Sequence, residues 1–458
     1  MTMSETIRVC AKKVPPMTAR QRLIVVLLLG ANFMMSADFS ILNIALPVVG
    51  EAVGLSVDNL PWVSTAFALP AAGLSLLFGR LGDLYGRRRI FLTGLFLLTA
   101  ASLLGGISTE PALLLAARAL QGVASAMTAP PALSLLITTF ADERQRARVL
   151  GLNGSLLSGG FTVGALVGVL SWRWAFLINV PVALVILMLT LFVVPTGRSR
   201  ENVRLDIPGA ASVTLGLLAL AFGITERSLP ALVVGMILLA LFFWIERRAK
   251  APLVAIEMLA LPSVRWGNLA ALTIFSMEAG LVFLTTLYLQ NVLHFGPLAT
   301  GLVFGVPGFA SVAAGIVAGR IIARRGARTV LLVALLVQGG VTAPMILLGT
   351  QPVWLWLLIP ALFVGFFGHI TAVVAATVTA TSEVPDSHKG LATGLVTTSQ
   401  RVAVTVGIPL LGAVMAIRAD LLAGIHLALA ADVLLTLMAV ILIRAGLNRQ
   451  VHARIAAD

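Results

Sequence analysis

Apolar runs of about twenty residues recur along this chain and leave it few ways to fold. Each run is long enough to cross roughly 30 Å of hydrocarbon as an α-helix. Only helices and closed barrels satisfy their backbone hydrogen bonds inside a bilayer, and the sequence lacks the alternating segments of barrel strands. Because only 11% of the residues are charged, well below the proportion in soluble domains, we predict an all-α polytopic membrane protein.

Fourteen runs are predicted to span the membrane, and the loops between them are short. The spans are residues 23–49, 60–79, 89–108, 112–140, 146–170, 173–195, 207–226, 229–247, 264–290, 297–322, 328–349, 353–382, 389–417 and 421–443. The count of fourteen, against twelve, depends on the runs 207–226 and 229–247, which are each long enough to span.

Basic residues predict the orientation of these spans. If both termini are cytoplasmic, the 32 Lys and Arg lie in tails and loops on that side, except for Arg118, Arg173, Arg227, Arg401 and Arg418. Cytoplasmic loops carry such an excess, so we expect a multi-pass protein of the cell's inner (plasma) membrane with both termini in the cytoplasm. The same rule accounts for the net charge of +13, and we expect no nucleic-acid partner.

The most basic short loop, Gly79–Arg89, is predicted as a tight cytoplasmic turn between spans two and three. Any basic cluster would satisfy the orientation rule. The glycine spacing and Asp83 indicate more, namely a tight turn with an acid that can cap or pair with a neighbouring helix. We therefore expect a gating latch, and its residues are Gly79, Asp83, Gly86, Arg87 and Arg88.

The chain repeats itself at an offset of 240 residues. A second basic loop, Gly319–Arg328, matches the first in its glycines but has no acid that corresponds to Asp83. Such repeats are the usual build of secondary transporters, with the substrate site between the halves. The expected domains are an N-terminal cytoplasmic tail at 1–22, a six-helix bundle at 23–196, a linker with two inserted helices at 197–261, a second six-helix bundle at 262–444 and a C-terminal cytoplasmic tail at 445–458.

Five motifs, in chain order, resemble those of the major facilitator superfamily and of its fourteen-helix drug:proton antiporter branch. They are Asp38-Phe-Ser-Ile-Leu-Asn43-Ile-Ala-Leu-Pro47, Gly79-x-Leu81-x-Asp83-x-x-Gly86-Arg87-Arg88, Leu114-x-x-x-Arg118-x-x-Gln121-Gly122, Trp172-Arg-Trp174-Ala-Phe-Leu-Ile-Asn179-Val-Pro181 and Tyr288-Leu-Gln290. The resemblance implies two pseudo-symmetric bundles that work by alternating access. It also implies proton-coupled export of hydrophobic, cationic or amphipathic drugs or antibiotics.

The sequence departs from this branch in span five. The branch has a central Gly-Pro there, whereas Ala165 occupies the proline position within Gly160–Gly168. Because that motif is associated with antiport, its absence weakens the prediction of export. The alternatives to drug export by antiport are export of an endogenous metabolite and proton symport.

The energy source is predicted to be the proton gradient, with no cofactor. The chain has no G-x-x-x-x-G-K-[ST] loop for ATP. With five scattered histidines and one cysteine, Cys10 in the tail, no metal or nucleophile cluster supports an enzyme. We expect a monomer whose partners are a small-molecule substrate, protons and the lipid bilayer.

Ionisable residues inside the spans are the candidates for coupling, because a charge at the bilayer centre costs at least about 2.5–3.5 kcal/mol. Asp38 lies near the middle of span one, and the resemblance places Arg118 of span four near it at the central cavity. Desolvation disfavours a carboxylate and a nearby arginine favours it, so Asp38 could exchange protons and attract a cationic substrate. The alternative is a permanent structural pair.

A second acid corresponds to the first by the repeat. The offset carries Glu278 of span nine onto Asp38, so that two acids would face one cavity from opposite halves. Asn43, from the first-helix motif, is assigned to the same cavity. Three weaker candidates, for which structural roles compete with functional ones, are Arg401, Asp432 and His369.

Overall fold

The computed structural model describes residues 17–140, 145, 171–195, 206–249, 256–385 and 389–455, and its regular structure is helical throughout those ranges. The first helices are α1 (Ala19–Val53), α2 (Pro61–Gly73), α3 (Ser75–Tyr85), α4 (Arg87–Gly106), α5 (Pro111–Thr139), α6 (Trp174–Leu177), α7 (Asn179–Val193), α8 (Ile207–Thr225) and α9 (Leu229–Glu246). The later ones are α10 (Pro262–Leu287), α11 (Pro297–Arg325), α12 (Ala327–Thr342), α13 (Leu355–Thr381), α14 (Lys389–Met415) and α15 (Leu421–Ile455).

Shorter helical turns join some of these helices. A π-helical turn, Tyr288–Val292, continues α10. The 3-10 turns are Val57–Asn59, Ile256–Ala260, Ala343–Leu347 and Pro352–Trp354. We call the end of the bundle where α1 begins and α15 finishes the terminal end, and the opposite end the distal end.

The prediction of a polytopic all-α membrane protein is confirmed. Within the described residues, 12 helical segments are long and apolar enough to cross a membrane. Predicted span 60–79 is also helical, but Leu74 divides it into α2 and α3, four residues after Pro70. Predicted span 146–170 lies outside the described residues. The count of fourteen therefore stays a prediction, and so do the domain boundaries.

The prediction of a loop over the whole of Gly79–Arg89 was wrong. The helix α3 continues to Tyr85, and only Gly86, with φ of +100°, separates it from α4. Gly82 is buried, and a Cβ there would lie 3.6 Å from the ring of Pro131 in α5. Packing against α5 keeps these polar residues helical, and a single residue with positive φ is enough to reverse the chain.

Small residues bring the helices of the first half close together, as is usual in membrane bundles. A Cβ on Gly94 of α4 would lie 2.8 Å from side-chain atoms of Met127 and Thr128 in α5. A Cβ on Gly122 of α5 would overlap the backbone carbonyl of Phe67 in α2. These contacts hold α2 and α4 against α5, and α1 packs on α5 and α7.

The second half is built in the same way around α10. A Cβ on Gly407 of α14 would overlap the backbone of Ser276 in α10. On another face, the Cβ position of Gly267 in α10 lies 2.6 Å from the Cβ of Ala380 in α13. The helix α10 therefore lies between α13 and α14, and α15 also packs against it.

The two inserted helices pack beside the place where the halves meet. The helix α8 contacts α9, and it also contacts α2 of the first half and α14 of the second. The Cβ position of Gly73 in α2 lies 2.7 Å from Thr214 Oγ1 in α8. Near the distal end, Trp62 Nε1 donates to Glu226 Oε1 at 3.2 Å. Close packing in the middle and a hydrogen bond at the end therefore join α8 to α2.

The two halves also contact each other directly at the distal end. Pro61 at the start of α2 lies 3.3 Å from the Cβ position of Gly412 in α14. Gln290 in the π-helical turn donates from Nε2 to the backbone carbonyl of Ile44 in α1. The distal ends of the two halves are therefore in contact in this conformation.

Candidate functional site

Asp38 is the centre of a buried polar network in the first half. Its Oδ2 accepts a hydrogen bond from Arg118 Nη1 at 2.7 Å, and its Oδ1 accepts from Gln121 Nε2 at 3.2 Å. Asn179, the first residue of α7, donates from Nδ2 to the same Oδ1. Asp38 is 2% exposed and Arg118 is fully buried. One carboxylate thus joins α1, α5 and α7.

Arg118 is held on several sides. Its Nε donates to the carbonyl of Val63 in α2 at 3.1 Å, and its Nη1 also donates to Gln121 Oε1 at 2.7 Å. The guanidinium lies 4.5 Å from the ring centroid of Phe67, a cation–π distance. Among the described residues, Nη2 has no hydrogen-bond partner. The close approach at Gly122, one turn along α5, brings Phe67 to this position.

This network can hold a charge inside the membrane, but it is closed. Coulomb attraction and hydrogen bonds to both carboxylate oxygens offset the desolvation of Asp38 and Arg118. Because both residues are buried, a proton or cationic substrate reaches Asp38 only after the network rearranges. The geometry is compatible with both sequence-based alternatives, the proton site and the permanent pair.

Asn43 does not join the Asp38 network. Its Nδ2 donates to the carbonyl of Phe39 at 2.9 Å, and its Oδ1 accepts from Ser64 Oγ of α2 at 2.8 Å. With 1% exposure, it links α1 to α2 one turn distal to Asp38.

Glu278 is buried in α10 with 9% of its surface exposed. It makes no hydrogen bond or ion pair with any described residue, so nothing in this conformation joins it to Asp38. The neighbouring Ser276 faces α14, where its Oγ donates to the carbonyl of Ala403 at 3.0 Å. The two acids suggested by the repeat therefore differ: Asp38 is fully bonded, and Glu278 is not.

The three weaker candidates lie apart from one another. Asp432 of α15 is 1% exposed, and its Oδ1 accepts from Thr436 at 3.4 Å. Arg401 lies eleven residues before Gly412 on α14, about three turns, so the two share a face. Since Gly412 packs on α2, Arg401 lies on the side of α14 that faces the first half.

The third weaker candidate, His369 of α13, packs its ring edge-on against Phe275 of α10, with centroids 5.2 Å apart. No group of three or more His, Cys, Asp or Glu side chains in the described part of the chain could hold a metal ion.

Comparison with known proteins decides the family. Residues 28–408 match the family model of the Major Facilitator Superfamily. This chain belongs to the Major Facilitator Superfamily. It is therefore a transporter of small molecules, which agrees with the resemblance in its motifs.

Relatives within the superfamily are similar over most of their length. Puromycin resistance protein pur8 of Streptomyces alboniger is 35% identical over 406 residues, which cover 85% of this chain and 80% of the relative. Multidrug resistance protein Stp of Mycobacterium tuberculosis (strain CDC 1551 / Oshkosh) is 29% identical over 399 residues, which cover 84% of this chain and 74% of the relative.

A solved structure of the superfamily shares the fold. The bacterial homolog to the human lysosomal transporter Spinster, in an inward-facing and unoccupied conformation, aligns with a TM-score of 0.67 at 14% identity. The alignment covers 94% of this chain and 98% of that one.

The superfamily's basic loop motif lies at the terminal end. Arg88 donates from Nη2 to the carbonyl of Leu191 near the end of α7, and Arg20 donates to the carbonyl of Val193 at 3.0 Å. Both arginines thus cap the last turn of α7, where cations are favoured. The side chain of Asp83 lies outside the described residues, and so does the superfamily-like stretch around Ala165.

Sequence reasoning missed two members of the Asp38 network. Gln121 and Asn179 are both uncharged, so a search for ionisable residues in the spans passed over them. Both lie in superfamily motifs, however, and Asn179 is a lone polar residue in an apolar run. Their position in these motifs is the feature of the sequence that could have identified both amides as members of the network.

Proposed function

We propose that this transporter exports hydrophobic, cationic or amphipathic drugs or antibiotics in exchange for protons, by alternating access. One observation carries the proposal: the fully bonded Asp38–Arg118 pair buried inside the first bundle. The similarity to the puromycin and multidrug resistance proteins supports drugs as the substrate class.

An ion pair in this position is hard to explain as packing alone. Burying two charges costs several kcal/mol per ion before pairing, and apolar residues would fill the space between α1 and α5 without that cost. A role in binding and releasing protons would explain why a carboxylate is kept at this position despite its cost. The pair is therefore proposed as the site that couples protons to conformation.

The proposed cycle uses the bonds of Asp38. Protonation neutralises the carboxylate, so Arg118 loses its counter-ion, the hydrogen bonds from Gln121 and Asn179 become weaker, and the network opens. The protonated and ionised forms then favour different conformations, which is what a ligand needs in order to shift an equilibrium. Loss of the proton on the other side restores the pair. Glu278 would provide a second acid in the other half.

The proton gradient supplies the free energy, with no cofactor, and the chain acts as a monomer. It lies in the plasma membrane with both termini in the cytoplasm, as the basic loops favour. The terminal end is then cytoplasmic, and the loop around Gly86 gates it.

Reconstitution in liposomes tests this function. Purified protein is given a pH gradient and the lipophilic cation ethidium, without ATP. Ethidium should move against its gradient as protons move the other way, and Asp38→Asn should abolish that movement. The control is Glu246→Gln, which removes another buried carboxylate, in α9, and should retain transport. Movement of ethidium together with protons would indicate symport and contradict the proposal.

A further inference from the structure

Within the described ranges, two buried ionisable side chains of the second half have no hydrogen-bond or ion-pair partner. His369 is 4% exposed and Glu278 is 9% exposed. Among the residues that the structure describes, Nδ1 of His369 has no hydrogen-bond partner, and neither His369 nor Glu278 is hydrogen-bonded or ion-paired through its side chain. Buried polar groups are normally satisfied. The buried Nδ1 of His369 is such an exception, and it lies near an acid that has no ion-pair partner among the described residues.

The two residues lie on faces of α10 and α13 that meet. The ring of His369 lies 5.2 Å from that of Phe275. Glu278 follows Phe275 by three residues, so their Cβ atoms are neighbours, about 5–6 Å apart on one face of α10. The contact of Gly267 with Ala380 shows the same two helices meeting toward the terminal end.

The helix directions place the two residues at the same level. The helices α10 and α13 run in opposite directions, and Gly267 of α10 meets Ala380 of α13. Glu278 lies eleven residues after Gly267, and His369 lies eleven residues before Ala380. The imidazole and the carboxyl group are therefore expected within about one helical turn of each other.

Other ionisable groups on the surrounding helices are placed elsewhere. Asp38 is paired with Arg118, and Asp432 is bonded by Thr436. His426 of α15 is bonded through Nε2 to the carbonyl of Leu348 at the distal end. Arg401 lies on the face of α14 that packs on α2. The other charged residues of these helices whose side chains the structure describes lie in terminal-end turns or on exposed faces, namely Arg265, Arg320, Arg324, Arg325, Arg328 and Arg444.

We propose that His369 and Glu278 form a proton-release pair, in which His369 accepts the proton that Glu278 has carried. The carboxylic acid gives its proton to the free ring nitrogen of neutral His369, leaving a carboxylate and an imidazolium. The imidazolium then loses a proton to water and returns to neutral. The inference rests on the proposed proton coupling and adds its exit route in the second half.

The test compares His369→Gln with His426→Gln, which alters a histidine that already has a partner. Two readouts are taken in liposomes: ethidium accumulation driven by a pH gradient, and ethidium counterflow without a gradient. Counterflow needs binding and alternating access but no net proton release. His369→Gln should lower gradient-driven accumulation by about tenfold or more and leave counterflow within about twofold. His426→Gln should leave both unchanged.

Two results would overturn the pair. One is gradient-driven accumulation that survives His369→Gln, and the other is an equal loss of accumulation and counterflow, which would indicate a structural role. Failure of the wild type to respond to a pH gradient would instead contradict the proposed function.

A drug-free measurement keeps the pair testable in that case. The infrared carboxyl band lost in Glu278→Gln is titrated in each variant. Its midpoint should move in His369→Gln by about one pH unit, as for coupled sites, and stay in place in His426→Gln. An unmoved midpoint in His369→Gln would refute the pairing.

Discussion

Gln290 donates a hydrogen bond to the backbone carbonyl of Ile44, and this bond joins the two halves at the distal end. The π-helical turn that carries Gln290 is anchored by its first residue, because Tyr288 Oη donates to the carbonyl of Gly349 at 2.7 Å. Turns of this kind are frequent at functional sites. The bond can form only while the distal ends are together.

Gln290→Ala is therefore expected to favour separation of the distal ends. Loss of one hydrogen bond is worth about 1 kcal/mol, or about a fivefold change in the equilibrium. The measurement is labelling of Ala45→Cys, a buried position in α1, by a membrane-impermeant maleimide in a Cys10→Ser background. Asn291→Ala is the neighbouring control and should leave the labelling rate unchanged. Equal rates in both variants would show that Gln290 does not hold this end closed.

Asn179→Ala should destabilise the first half and couple energetically to Asp38. A hydrogen bond to a charged group contributes about 1.5–3 kcal/mol, and the carboxylate is too deeply buried for water to replace it. Thermal unfolding of the single variants and of the double variant with Asp38→Asn measures this. The two effects should be clearly less than additive, whereas simple additivity would mean that Asn179 stabilises the bundle by another route.

Arg118→Lys is expected to abolish transport although the charge is kept. An ammonium group cannot reach Val63, Asp38 and Gln121 together while lying over Phe67, because the fork of the guanidinium is lost. Liposome transport and thermal unfolding are the readouts. Arg173→Lys provides a control, since Arg173 is also a cation over an aromatic ring, 4.5 Å from Trp172, but lies outside the network. Full activity of Arg118→Lys would mean that charge alone suffices.

Gly122→Ala should destabilise the protein by about 1–3 kcal/mol. The added methyl would overlap the carbonyl of Phe67 and push α2 away from α5, disturbing the contact of Phe67 with Arg118. Gly305→Ala in α11 is the matched control, because no atom of another described helix lies within 4 Å of the added methyl. A thermal unfolding series should show a loss only for Gly122→Ala, and similar melting temperatures would contradict this packing.

The sequence predicted what the bilayer dictates. Long apolar runs require helices, and the motif resemblance placed Asp38 beside Arg118, where the structure has them. Hydropathy could not show that α3 continues to Tyr85, because that depends on packing against Pro131 of α5. The repeat suggested that Glu278 and Asp38 are equivalent, but a repeat of backbone positions does not repeat the partners around them.

Residue type alone predicts only some members of the Asp38 network. A charged residue in a span is conspicuous because burying it in the membrane costs much free energy. Burying an amide such as Asn179 costs less, so its presence in a span is weaker evidence of a function. Its importance follows from three-dimensional convergence, since 141 residues separate it from Asp38 in the chain. The same holds for His369, whose Nδ1 has no hydrogen-bond partner among the described residues, which no spacing in the sequence reveals.

The inserted helix α8 touches α2 from one half and α14 from the other. Any rocking that parts α2 from α14 must therefore shear one of these two surfaces. The close fit of Gly73 with Thr214 and the bond from Trp62 to Glu226 bind α8 to α2, so the slip plane is expected along α14. The helix α8 would then move with the first half while it covers the surface of the second. We expect it to keep lipid tails out of the cleft when the two halves separate.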